Sequence, residues 1–297
     1  MGKNIGSHRI MGDKRILTVQ DISCVGQCSL TVALPILSAA GLETAILPSA
    51  VLSTHTTGFT GYTCRDLTED IPGIIAHWQR EKITFDAIYT GYLSSVRQIG
   101  LVKEMFTKLR RDDFVSIVDP AMADGGSLYP AFDSDFVSEM RSLIAEADII
   151  LPNITEACFL TGTAYREAYD EDYIDGLMKA LRNIGAKTVV LTGVSYDSNS
   201  TGVAVLEGER PSYYRHARCA RDSHGTGDVF SSAFAGAYLR GKRVCEAAGI
   251  AADFTLRCME NTENDPAHWY GVKFESVLPY YIDRLRGTEG ENQWKNK

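Results

Sequence analysis

The chain has 297 residues, 44% hydrophobic and 23% charged, with a net charge of −8, which is the balance of a globular protein large enough to bury a sizeable core. The acidic excess, with no basic block, excludes a nucleic-acid or anionic-membrane binder. No apolar run reaches membrane-spanning length, Met1–Arg15 lacks the apolar core of a signal peptide, and the seven cysteines show no zinc-ligand spacing, so reduced thiols in a cytoplasmic protein are expected.

Taken in order, residues 1–14 are polar and glycine-bearing and are expected to be disordered. Arg15–Ile22 reads as a buried strand, Ser23–Ser29 as a loop, and Leu30–Ala40 as a helix ended by Gly41. Thr44–Leu47 is a second strand. Ser49–Thr63, rich in Ser, Thr and Gly, is too long for a plain connection and reads as a binding loop or small flap. Leu67–Arg80 is helical, with Pro72 near its first turn. A βα rhythm then sets in: strands at Phe85–Tyr89, Phe114–Val118, Asp148–Leu151 and Thr188–Leu191 alternate with helices at Val96–Arg110, Phe132–Ala147, Thr155–Thr161 and Tyr173–Gly185. Gly202–Leu206 and Ser212–His216 read as an antiparallel hairpin edge. Helices follow from Asp228 and over Val244–Cys258, and residues 287–297 are expected to be a disordered tail. The pattern predicts one α/β domain over residues 15–286, with a mostly parallel sheet between helical layers.

Ligands of such sheets bind at the carboxyl ends of the strands. The residues there bring Asp119, Asp124, Asn153, Glu156, Thr192 and Asp228 towards one rim. Each has a plain alternative: Asp119 before Pro120 can start a turn, and Asn153 and Glu156 can cap the next helix. His224-Gly225-Thr226-Gly227 is a small-residue turn ending at a helix N-terminus, a place suited to an anion, and His224 beside it either touches phosphate or shapes the backbone. Asp228, in the first turn, is either a dipole partner or a base for a hydroxyl attacking phosphorus. Acids around a glycine nest suit a nucleotide with Mg²⁺. Neither a Walker A string nor a G-x-G-x-x-G after the first strand is present. His55 reads as a wall of an acceptor pocket, and Phe59, Tyr62 and Tyr92 as either a stacking surface or plain core.

Six strings in order, Val19-Gln20-Asp21 with Gly26-Gln27-Cys28-Ser29, Leu52-Ser53-Thr54-His55-Thr56, Thr90-Gly91-Tyr92, Asp119 to Asp124, Pro152 to Ala157 and His224 to Asp228, carry a resemblance to the pyridoxal kinase branch of the ribokinase superfamily. It runs from about Ile16 to about Met259. The resemblance implies a three-layer α/β/α ribokinase-like fold without a large lid, homodimerisation, and ATP-dependent phosphorylation of the 5′-hydroxymethyl of a B6 vitamer with Mg²⁺, K⁺ being compatible. It makes Asp228 the catalytic base and Gly225, Thr226 and Gly227 the anion hole. Asp119, Asp124 and Glu156 fall around the metal and phosphates, Asn153 and Thr192 on the nucleotide side, and Asp21, Thr56 and Tyr92 near the pyridine ring. Two departures stand out. Asp21 replaces the serine of many pyridoxal kinases, which implies a shift in vitamer preference towards pyridoxamine. Leu151 replaces a threonine common before Pro-Asn. The alternatives are a hydroxymethylpyrimidine kinase, whose branch commonly has cysteine at the position of Asp228, and a non-catalytic vitamer-binding protein.

Overall fold

The structure is a computed structural model, and it describes residues 14–219, 224–287 and 294–295. A single large sheet is built from β1 (Arg15–Ser23), β2 (Glu43–Leu52), β3 (Cys64–Asp66), β4 (Phe85–Thr90), β5 (Arg110–Val118), β8 (Ile149–Ile150), β9 (Thr188–Asp197), β10 (Ser200–Leu206), β11 (Ser212–Ala217) and β12 (Trp294–Lys295). Their order is β12-β11-β10-β9-β8-β5-β4-β1-β2-β3. The pairs from β9 through β8, β5, β4 and β1 to β2 are parallel, and the outer pairs at both ends are antiparallel. β1, with β2 on one side and β4 on the other, marks the point where the winding reverses.

Helices cover both faces. α2 (Ile71–Arg80), α3 (Val96–Lys108), α4 (Ser134–Ile144), α5 (Ile154–Thr161) and α6 (Glu171–Ile184) share one apolar layer, which includes Ile75, Val102, Met140 and Leu177. α1 (Leu30–Ala39), α7 (Thr226–Leu239), α8 (Val244–Glu263) and α9 (Leu278–Arg286) share the other, with Ile36, Phe234, Phe254 and Tyr281 fully buried. The α/β/α sandwich expected from the sequence is therefore present.

Several bounds differ from the sequence reading. β2 runs on to Leu52 and pairs with β3, so the stretch expected as a binding loop or small flap begins as strand and forms a hairpin whose loop is 53–63. Gly125 and Gly126, both at positive φ, turn a two-stranded hairpin of β6 (Ala123–Asp124) and β7 (Ser127–Leu128), which the sequence reading placed in a loop. Arg110 opens β5 rather than closing α3. Trp294–Lys295 adds a strand to β11 inside the expected tail, whereas residues 1–13 lie outside the described residues. Among the described residues, no helix is long and apolar enough to cross a membrane.

Candidate active site

The strand ends converge as the topology requires. A cleft of about 400 Å³ is lined by Asp119, Asp124, Asn153, Glu156 and Thr192 together with His224, Gly225, Thr226, Gly227 and Asp228. The six rim residues and the glycine nest therefore belong to one cavity. Its lining also includes the apolar Val203, Phe230, Ala252 and Met259. A second cavity of about 510 Å³ adjoins it across Asp124, Asn153, Thr192 and Gly193, and carries Tyr165, Tyr169, Tyr196 and Arg218.

The nest is built by close approach. Gly225 caps α7 with a φ of 75°, and a Cβ there would lie 2.1 Å from the Gln27 carbonyl oxygen. Only glycine allows that conformation and that contact together. α7 then begins with Asp228 in its first turn. Burial pushes the Asp228 carboxyl up to about 7, the neighbouring Asp119 and Asp21 push the same way, and a hydrogen bond from the Ser29 amide opposes them. A carboxyl poised there can accept a proton near neutral pH.

Ser231, one turn after Asp228 and so on the same helix face, donates to Asp119 Oδ2 at 2.7 Å. The Ala121 amide donates to Oδ1 at 3.2 Å. Asp119 and Glu156 are buried, and both carboxyls are raised, by burial first and in Glu156 also by the charge on Asp119. Ser231 escaped the sequence reading, although its i+3 spacing from Asp228 was a usable signal.

Two side chains of the acidic rim are tied into the backbone. Asn153 and Glu156 form a capping box at α5: Asn153 Oδ1 accepts from the Glu156 amide at 2.9 Å and Glu156 Oε2 from the Asn153 amide at 2.8 Å. Glu156 Oε1 accepts from the Met122 amide at 3.0 Å, and Asn153 Nδ2 donates to the Ala123 carbonyl at 2.8 Å. Both side chains are thus occupied in tying α5 to the β6–β7 hairpin. Asp119, Asp124 and Glu156 do not form a direct three-ligand metal cluster, and no such cluster occurs among the described residues. Removing Glu156 strands two buried amides at a cost on the order of 2–4 kcal/mol. Glu156→Ala is therefore expected to lower Tm clearly in calorimetry, and an unchanged Tm would overturn this architectural role. Thr192 donates from its hydroxyl to the Pro152 carbonyl at 3.3 Å and bridges to Asn153. Leu151, at 2% exposure, turns an apolar side to the cleft.

Asp21 and Tyr92, expected near the acceptor, stand at the ends of β1 and β4. Asp21 is 5% exposed, accepts from Ser23 Oγ at 3.0 Å, and is raised chiefly by burial. Burial, then the charge on Asp21, pushes the half-buried Tyr92 phenol up to about 12, and Tyr92 stacks obliquely on Phe132 at 5.5 Å. His55, expected as a wall of the acceptor pocket, has both ring nitrogens engaged within the chain. Its Nδ1 accepts from the Thr57 amide at 3.2 Å, which leaves Nε2–H to donate to the Tyr270 carbonyl at 3.1 Å, so only the ring face is free. That ring presses on Gly26, where a Cβ would come within 2.1 Å of it, and sits 5.0 Å from Phe59 and 6.2 Å from His224. Thr56 is exposed on the loop. Trp269, packed on Phe59 at 4.6 Å, was not among the residues expected at the site.

The phosphomethylpyrimidine kinase family matches residues 40–271. The chain belongs to that family. Among solved structures, a Bacteroides thetaiotaomicron protein provisionally assigned as a phosphomethylpyrimidine kinase is 34% identical, with a TM-score of 0.90 over 97% of this chain and 99% of its own. It also crystallised in a form with pyridoxal. A pyridoxal kinase from Lactobacillus plantarum is 32% identical, with a TM-score of 0.85 over 94% of this chain and 99% of its own. The pyridoxal kinase of Dictyostelium discoideum is 26% identical over 200 residues, 65% of this chain and 64% of that protein. The chain thus spans just under two thirds of that relative's length.

Proposed function

We propose that this chain transfers the γ-phosphoryl group of ATP to the 5′-hydroxymethyl group of a vitamin B6 vitamer. The observation that carries the reading is Asp228, raised to about 7 at the start of a helix whose glycine nest opens into the same cleft as Asp119. Asp228 takes the hydroxyl proton as the acceptor oxygen attacks phosphorus. The new O–P bond forms as the bond from the γ-phosphorus to the bridging oxygen breaks, and ADP leaves with that oxygen. The amides of Gly225–Gly227 and the positive end of α7 face the charge on the transferring group. The apolar lining at Val203, Ala252 and Met259 suits a purine ring.

The donor set fits a hydrated Mg²⁺. Asp119 and Asp124 line the cleft, while Glu156 is held by backbone amides, so the ion would be reached by one or two carboxylates, waters and the phosphates. When bound, Mg²⁺ supplies charge neutralisation on the phosphates.

A vitamer is favoured over a pyrimidine by the acceptor side, where Asp21, Tyr92 and the His55 face converge, and by the pyridoxal-bearing relative. A buried Asp21 favours a ligand that brings a proton or an amine. An ADP-release assay with Mg·ATP against pyridoxal, pyridoxine, pyridoxamine and hydroxymethylpyrimidine tests the reading. Turnover of vitamers is expected; turnover of the pyrimidine alone would move the chain to the other branch of its family. In the same assay Asp21→Ser should lower kcat/KM for pyridoxamine relative to pyridoxal by about tenfold, the scale of one charge-assisted hydrogen bond. An unchanged ranking would remove Asp21 from vitamer choice.

A further inference from the structure

The segment between α8 and α9 holds two loops beside the cleft at once. Its base is a fixed turn. The His268 amide donates to the Asp265 carbonyl at 3.1 Å, the Ala267 amide to Asp265 Oδ1 at 3.1 Å, and the Lys273 amide to Thr262 Oγ1 at 2.8 Å. Lys273 also pairs with the Asp265 carboxylate. At the tip, the Tyr270 carbonyl accepts from the Gln27 amide at 3.2 Å and from His55 Nε2 at 3.1 Å. One carbonyl oxygen thereby joins the loop after β1 to the loop after β2. His268 Nε2 donates to Gln27 Oε1 at 2.7 Å, and a Cβ on Gly271 would lie 2.6 Å from the Gln27 Cβ.

Trp269 offers the 53–63 loop an aromatic seat. Its ring lies 4.6 Å from Phe59 and 6.4 Å from His55, centroid to centroid. Gly58, at a φ of 79°, approaches the indole so closely that a Cβ there would come within 2.6 Å of Trp269 Cζ3. Residues 56–58 and 60–63 are exposed, while the half-buried Phe59 rests on Trp269 and His55. Both loops reach the transfer site. The Gln27 carbonyl abuts Gly225 of the nest, and the His55 ring stands 6.2 Å from His224, which lines the cleft.

We propose that Trp269 is a positioning residue for the acceptor, seating the 53–63 loop so that His55 and its neighbours stay closed against the β1–α1 loop and the nest. The assignment rests on the functional reading above. Trp269 acts through Phe59, Gly58 and His55, and the Tyr270 carbonyl beside it keeps that loop in step with Gln27.

Two variants test it, each assayed by ADP release with the four acceptors and by hydrogen exchange of the 53–63 peptide. Trp269 is 40% exposed, so its truncation leaves the two apolar layers intact. Trp269→Ala is expected to raise acceptor KM about three- to tenfold, the scale of a lost aromatic contact, while KM for ATP stays within about twofold. Exchange over 53–63 should quicken by about the same factor, with α7 unchanged. Trp269→Phe keeps a ring against Phe59 and should return both readouts to within about twofold of the wild type. A wild-type acceptor KM in Trp269→Ala overturns the proposal. So does a parallel rise in the KM of ATP and acceptor, or a phenylalanine variant as impaired as the alanine one. A wild-type protein inactive on all four acceptors overturns the functional reading instead. In that case exchange still decides the seat: quicker exchange over 53–63 in Trp269→Ala supports it, and unchanged exchange overturns it.

Discussion

Asp228→Ala is expected to lower kcat by about 10²–10⁴ with little change in KM for either substrate, the signature of a group that acts mainly in the transition state. Steady-state kinetics on the purified variant reads this directly, and a near-normal kcat would remove Asp228 from proton transfer. The pH profile gives a second reading of the same residue. Only the ionised carboxylate can accept the proton, and burial together with Asp119 and Asp21 holds Asp228 at about 7. In the wild type, kcat/KM should therefore fall about tenfold per pH unit below an apparent midpoint near 7. Asp21→Asn removes one of the negative charges that raise Asp228, so the midpoint should move down. A midpoint that rose would show that Asp21 does not act on Asp228 through its charge.

The second large effect belongs to Gly225. Alanine there would place a methyl group 2.1 Å from the Gln27 carbonyl oxygen at a φ of 75°, so the nest must shift rather than the side chain. Loss of one aligned amide at such a site costs about 10²–10³ in kcat. Gly225→Ala is expected to lose at least that much while remaining folded, because the strain is confined to one turn, on the order of 1–3 kcal/mol. Circular dichroism and kinetics separate the two, and a variant with wild-type kcat would show that the nest does not contact the transferring group.

Much of the architecture was legible because its signals are local. The segments Phe85–Tyr89, Phe114–Val118 and Thr188–Leu191 are largely apolar runs that belong in a sheet covered on both faces, and amphipathic stretches such as α6 repeat every three to four residues. The glycine nest and Asp228 were legible because a tight turn before an apolar helical pattern leaves few alternatives. The β6–β7 hairpin was not, since strands of two residues around Gly125-Gly126 have no periodicity of their own. Asn153 and Glu156 show the limit at the site itself. The same Asn-x-x-Glu spacing serves a metal rim or a capping box, and only the amides of Met122 and Asn153, one of them 34 residues away in sequence, decide for the box.

The account stands most directly on one competition. Wild-type protein with Mg·ATP and equal concentrations of pyridoxal, pyridoxine, pyridoxamine and hydroxymethylpyrimidine would have its phosphorylated products quantified by mass spectrometry, which reads the ratio of kcat/KM values. The account predicts that vitamer 5′-phosphates dominate and that the signal vanishes with Asp228→Ala. A product pool dominated by the pyrimidine phosphate, or one that survives that substitution, would contradict it.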